Sequence, residues 1–394
     1  MRMLLDPLRS AAEAAAGAAA GAAAPQGNFV TDLLAKISPV EIPWPLLVLL
    51  GALLGSGFFL LLLFITPYAM LAIWAERKVA GHIQCRIGPN RVGPFGLLQS
   101  IADGLKLLVK EDTIPAGADK LLFVLAPALV LASAIAMFAA IPFAPALYFT
   151  DLNLGVFFIL AVSSLATIGV LMAGWSSNNK WSLYGAMREA AAVISYEVPL
   201  GLALLVPVVV SGTFSLRGAA LAQEGWGGAA WYLFRDPFVL PAFLLFYTAA
   251  LAETKRAPFD LPEAESELVA GFHTEYSGMR FSFFFLEEYA AMFVVSAIGA
   301  LYFLGGWSFP GLTPLVEHLF GRGWIFNAVA VGVFSAKALF LVFVMMWLRW
   351  TLPRIRIDQV MTLGYKYLTP LALGCLLGAA GWELYVVPLF GGGR

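Results

Sequence analysis

Residues 252–288 read AETKRAPFDLPEAESELVAGFHTEYSGMRFSFFFLEE. Glu253, Asp260, Glu263, Glu265, Glu267, Glu275, Glu287 and Glu288 stand here between two segments apolar enough to lie in a membrane. Charged groups near lipid are costly and usually line a polar cavity or an ion path, so the stretch reads as a proton-handling element. Taken alone, the middle acids read equally well as a solvated loop. Pro258 and Pro262 break helix and leave a segment able to rearrange.

Outward from this stretch, apolar runs recur along the chain. Of its residues 60% are hydrophobic and 12% charged, a composition that a water-soluble protein of this size does not tolerate. A transmembrane helix needs about 20 mostly apolar residues and satisfies its own backbone, and long uninterrupted runs favour helices over a barrel. The expectation is an all-α, polytopic integral membrane protein of about eight crossings. They fall near 46–74, 121–141, 154–174, 189–210, 238–253, 283–304, 325–348 and 368–387. An amphipathic surface helix is expected over 95–110, where Leu97, Leu98, Ile101, Leu105 and Leu108 recur at helical spacing. Residues 1–45 form a separate extension and interfacial segment. Its run AAEAAAGAAAGAAAP at 11–25 is too weakly hydrophobic for a signal peptide and reads as helical or disordered. The membrane domain spans 46–388, with loops at 75–120, 175–188, 254–282 and 349–367. Lys and Arg concentrate in these odd-numbered loops, while the even loops hold only Arg217, Arg235 and Arg322. The positive-inside rule therefore puts the odd loops in the cytoplasm and both termini outside.

The net charge of −1 comes with no basic run, so no nucleic-acid partner is expected. Cys85, Cys375, His82, His273 and His318 lack the close spacings that hold zinc or an iron–sulfur cluster, so no metal site is expected in this chain. Glu189 and Glu197 share one helix, eight residues and about 12 Å apart on roughly the same face, a spacing that suits a proton relay through water. Lys337 sits at the middle of AVAVGVFSAKALFLVFVMM, too deep for its stem to reach water easily. Such a lysine needs a carboxylate or loses its proton. For each of these three residues the alternative is an interhelical pair that only fixes packing.

The run ERKVAGHIQCRIGPNRVGPFGLLQSIA at 76–102 resembles the quinone-site membrane subunit of respiratory complex I. So do ISYEVPL at 194–200, AETKRAPFDLPEAESELVAGF at 252–272 and WLRWTLPRIRIDQ at 347–359, all in family order. The resemblance extends over about 74–368 and leaves the alanine-rich start aside. It implies a bacterial inner-membrane subunit of NADH:quinone oxidoreductase that forms the membrane side of the quinone chamber and couples quinone reduction to proton translocation. It acts only as part of that translocase and has no catalytic residue of its own. Its substrate is quinone, its partners are the other membrane and peripheral subunits and lipid, and iron–sulfur clusters and flavin belong to the partner subunits. The resemblance places Arg77, Arg86 and Asp103 near the quinone channel. It also places Glu197, Glu253, Asp260, Glu263, Glu265, Glu267, Glu275 and Glu288 among the acids linking quinone reduction to pumping, with Lys337 on a family lysine. The expected proton path thus contains Glu189 together with these residues. The surface helix and cationic loops are expected to dock peripheral subunits, in preference to simple attraction to lipid headgroups.

Two other classes share some of these features. The membrane subunit of an energy-converting hydrogenase couples cluster chemistry to ions without quinone, and the fuller quinone-site motif GPNRVGPFG disfavours it. An autonomous proton-coupled transporter is suggested by the intramembrane charges, but no inverted repeat or paired broken helices support it.

Overall fold

The structure, a computed structural model, describes residues 61–225, 230–261 and 265–390. Every helix below belongs to one compact unit, Ile65–Arg394. The alanine-rich extension and residues 46–60 of the first expected span lie outside the described residues. In chain order the helices are α1 (Thr66–Ile83), α2 (Gln99–Val109), α3 (Lys120–Ala139), α4 (Gly155–Ser176), α5 (Lys180–Ser211) and α6 (Leu216–Ala222). Then follow α7 (Val239–Glu253), α8 (Gly278–Tyr302), α9 (Leu312–Phe320), α10 (Trp324–Thr351) and α11 (Ile357–Val386). No strand occurs among the described residues, so the protein is all-α and polytopic as expected.

Among the described residues six helices, α3, α4, α5, α8, α10 and α11, are long and apolar enough to cross a membrane. Helix α7 has 15 residues and extends about 22 Å, short of the roughly 30 Å hydrocarbon core. It nevertheless joins the two ends of the bundle, because the connections on either side of it belong to opposite groups. At one end the odd loops bond to one another. The Ser277 hydroxyl donates to Glu111 O over 2.9 Å, Asp119 N–H to Ser176 O over 3.0 Å and Ile355 N–H to Pro258 O over 3.0 Å. At the other end the even loops do the same, with Arg217 2.8 Å from Asp151 and Arg322 2.9 Å from Glu224.

Several helices outrun the apolar segments that announce them. Helix α5 starts at Lys180, where the Asn179 side chain accepts the Trp181 N–H over 3.0 Å, so the expected loop 175–188 shrinks to 177–179. Helix α1 continues to Ile83, and between α10 and α11 only residues 352–356 remain of the expected loop 349–367. Helix α8 begins at Gly278, five residues before the expected span. Hydropathy marks the part of a helix in lipid, whereas the backbone ladder runs on until a cap or a proline stops it.

Helix α8 occupies the centre, almost wholly buried along its apolar part, against α3 and α10 and touching α1, α2 and α6. Helix α11 is peripheral, 22% buried, and packs on α5. Helix α5 also meets α4 and α7, and the turn Gly271–His273 seats directly on it. At that crossing a Cβ on Gly185 would lie 2.8 Å from Gly271 Cα and 2.9 Å from Phe272 N, so only a glycine fits. Gly185→Ala is therefore expected to push the 271–273 turn off α5 at a cost of about 1–3 kcal/mol, read as a lowered thermal midpoint of the purified protein.

Candidate functional site: a buried acid–base network

Helix α7 ends in a left-handed cap. Lys255 has φ of 56°, and the Arg256 N–H donates to Leu251 O over 3.2 Å, closing the helix end. A non-glycine residue in this region is strained, and here the buried ion pairs on either side hold it. Lys255 goes one way, with Nζ 2.8 Å from Glu189 on α5, 3.4 Å from Glu287 on α8 and 5.4 Å from the Phe272 ring.

Arg256 goes the other way and is 1% exposed. Its Nη1 donates to both Glu76 oxygens over 3.1 and 3.0 Å, and its Nε lies 3.0 Å from Glu288. Its guanidinium stacks 4.6 Å from the Tyr289 ring centroid. Glu76 also accepts from Arg349 Nη1 over 2.5 Å and from the Tyr289 hydroxyl over 2.8 Å. Three cations, Lys255, Arg256 and Arg349, thus face four carboxylates, Glu76, Glu189, Glu287 and Glu288.

Beside Lys255 lies a cavity of about 30 Å³, room for water, whose polar lining is Ser163, Thr167, Glu189, Glu253, Lys255 and Glu287. Glu253 adds a fifth carboxylate to the set. Burial works against the Lys255 charge, but Glu189, Glu287 and Glu288 outweigh it and hold the ammonium above its ordinary value. A lysine whose folded value is raised contributes fully below its unfolded value, about 10.4, and loses that contribution only above the folded one. Lys255 is thus a fixed cation at neutral pH.

The outer acids tie the loop to its neighbours. Asp260 lies 3.2 Å from Arg354, Glu267 lies 2.5 Å from Arg188, and Glu275 accepts from Asn179 Nδ2 over 2.7 Å. Glu263 and the side chain of Glu265 lie outside the described residues. Glu197 is half-buried on α5 and does not line the cavity that Glu189 lines.

Of the expected quinone-channel residues, Arg77 and Asp103 meet at 2.6 Å, with Gln99 donating to the other Asp103 oxygen over 3.0 Å. The Ser100 hydroxyl and Met70 O, 2.9 Å apart, seat α2 on α1. The α2 stripe of Ile101, Leu105 and Leu108 faces outward and exposed. Arg86 is exposed and donates to Gln84 Oε1 over 2.6 Å, and no contact joins it to Arg77 or Asp103.

Lys337 stands apart. Its Nζ donates to three backbone carbonyls, those of Leu304, Gly306 and Ser308, and among the described residues no carboxylate pairs with it. Of the two expected outcomes for Lys337, a carboxylate partner or loss of its proton, the first is not met among the described residues, where peptide oxygens take that place. Twelve residues separate Lys337 from Arg349 on α10, about 18 Å of helix, so Lys337 lies far from the acid–base network.

The sequence reading missed Glu76, Lys255, Arg256, Arg349 and Tyr289 as site members and used the basic ones only for orientation. The available signal was the absence of any proline between Trp74 and Ile83, which lets α1 continue and turn Glu76 inward.

Fold and site together define a polytopic helical membrane protein whose interior holds a network in which carboxylates outnumber cations. A family model described as NADH dehydrogenase matches residues 56–380. A curated Chlorobium luteolum chain, named as a subunit of NADH-quinone oxidoreductase, is 45% identical over 363 residues, covering 91% of this chain and 95% of the relative. A chain of the same name from Anaeromyxobacter dehalogenans is 49% identical over 324 residues, covering 80% and 78%. Another, from Dehalococcoides mccartyi strain CBDB1, is 48% identical over 328 residues, covering 82% and 85%. The chain belongs to the NADH dehydrogenase family, which bears out the resemblance read from its motifs.

Arg256→Met leaves Glu76 and Glu288 short of their cation, and breaking a buried pair from one side costs about 3–5 kcal/mol. The expected outcome is a sharp fall in folded protein recovered from membranes, with Arg256→Lys intermediate because it keeps charge but loses the planar fork. At the exposed end, the Arg188 hydrogen bond and charge hold the Glu267 carboxyl below its ordinary value. That contribution is complete above about pH 4.3 and is lost only as pH falls through the lowered value. Limited proteolysis of 254–277 should therefore be independent of pH between about 6 and 8. Arg188→Gln should speed it equally across that range.

Proposed function

We propose that the chain is a membrane subunit of NADH:quinone oxidoreductase that forms the membrane side of the quinone chamber. In this reading it couples quinone reduction to proton translocation through its buried carboxylates. The carrying observation is that Glu76 and Arg77 are consecutive on α1. One turns inward to Arg256, Arg349 and Tyr289, and the other turns outward to Asp103 on α2. A change of charge at the outward group thus has a one-residue path to the interior network.

Reduction of quinone to quinol takes two electrons and two protons. The electrons come from a cluster in a partner subunit. The protons and the developing negative charge bear on Arg77, Arg86 and Asp103, and through Glu76 on the interior acids. With Lys255, Arg256 and Arg349 fixed as cations, the surplus carboxylates form a coupled set that takes up or releases a proton as a unit. Glu189, Glu253, Glu287 and Glu288 carry that role, and Glu197 extends it along α5. Asp260, Glu267 and Glu275 hold the 254–277 loop in the position that couples the two sites, and Glu263 and Glu265 belong with the acids of the proton path. The outward stripe of α2 and the odd loops dock peripheral subunits. The protein sits in a bacterial inner membrane with the odd loops cytoplasmic and both termini periplasmic.

The test separates the two halves of this reading in the assembled complex. Asp103→Asn is expected to raise the quinone KM several-fold. Glu253→Gln is expected to keep quinone reductase activity but lower the protons moved per electron pair in proteoliposomes. An unchanged KM in the first variant removes α2 from the chamber, and a wild-type proton ratio in the second removes the cavity from the path.

A further inference from the structure

The end of α8 accounts for its carbonyls one at a time. Ala300 O accepts the N–H groups of Leu304 and Gly306 over 3.2 and 2.8 Å, and Leu301 O accepts from Gln223 Nε2 over 2.8 Å. Phe303 O accepts the Leu233 N–H over 3.3 Å, and Gly305 O accepts the Ser308 N–H over 2.8 Å. The carbonyls of Leu304, Gly306 and Ser308 instead converge on Lys337 Nζ, at 2.6, 3.0 and 2.5 Å. An ammonium has three N–H donors, so donor and acceptor numbers match. The Trp231 ring covers the group, its centroid 4.4 Å from Nζ.

This enclosure is built into the chain. Gly305 and Gly306 have φ of 75° and 53°, and a Cβ on Gly305 would lie 2.3 Å from Trp231 Cδ1. The turn follows the C-terminal end of a 25-residue helix, where the macrodipole favours a cation. A cavity of about 30 Å³ adjoins it, lined by Trp307, Ser308, Glu224, Thr313 and Glu317. Glu224 there is paired with the exposed Arg322, so the cavity adjoins the even-loop surface.

We propose that the 304–308 turn with Trp231 is a binding site for one primary-ammonium group, and that the chain fills it with its own Lys337. Lys337 is then a positioning residue that fixes the even-loop end of α8, and the site takes a free alkylammonium ion when the side chain is removed. The site involves only this turn and Trp231 and is independent of the proposed proton path.

Lys337→Ala removes three methylenes and the ammonium, which n-propylammonium supplies. In the detergent-solubilised assembled complex, Lys337→Ala should lower the thermal midpoint, and n-propylammonium should restore at least half of the loss. Tetramethylammonium, charged but without N–H donors, should restore none. Lys337→Met fills the same shape without donors, so its midpoint should also fall and n-propylammonium should not correct it. A wild-type midpoint in Lys337→Met overturns the proposal, as does equal restoration of Lys337→Ala by the two cations. Where Lys337→Ala yields no assembled complex, the Lys337→Met midpoint decides by the same criterion.

Discussion

The pairing of Glu76 with Arg256 is the constraint on which the rest of the structure depends. Both groups are almost fully buried, and a charge withdrawn from water costs several kcal/mol unless it is paired and hydrogen-bonded. The pair is completed by Arg349, Glu288 and Tyr289, so α1, α8, α10 and the segment after α7 must meet at one point. The strained cap at Lys255 exists because of this requirement: it sends consecutive cations to opposite sides, one toward α5 and the other toward α1. No helix in that group is free to slide without uncovering a charge.

The network grades outward from rigid to exchangeable. Its carboxylates outnumber its cations, and three of them, Glu189, Glu253 and Glu287, share a cavity with room for water. Farther out the loop is held by Arg354 and Arg188 through partly exposed pairs, which are worth little in stability and yield readily to competing charge. In the proposed function this gradient is the coupling element, a firm anchor joined to a segment that responds to events beside α1.

The even-loop end solves a similar problem by different means. Lys337 is matched by peptide dipoles and an aromatic face at the end of a central helix, with no counter-charge of its own among the described residues. Fixed dipoles accept a cation without adding a second titrating group. The middle of α8 and its C-terminal end therefore carry different chemistry: Arg256 and Glu288 are matched by formal charges, Lys337 by carbonyls.

The sequence by itself determined that the chain is an all-α membrane protein, because apolar runs of that length admit little else, and its motifs were long enough to identify the family. It also singled out the acids of 252–288 as candidates, and its family resemblance added Arg77 and Asp103. Helix ends were less legible, since α5 and α10 continue past the lipid on backbone bonds that hydropathy does not register. Only the tertiary structure decided which charges meet. Glu76 and Arg256 are 180 residues apart, and Glu76 and Arg349 are 273 apart, so no local pattern relates them. The same holds for Lys337, whose partners are backbone oxygens that every residue possesses. A residue type can announce that a buried charge needs a partner, but the partner is chosen by which helices pack together.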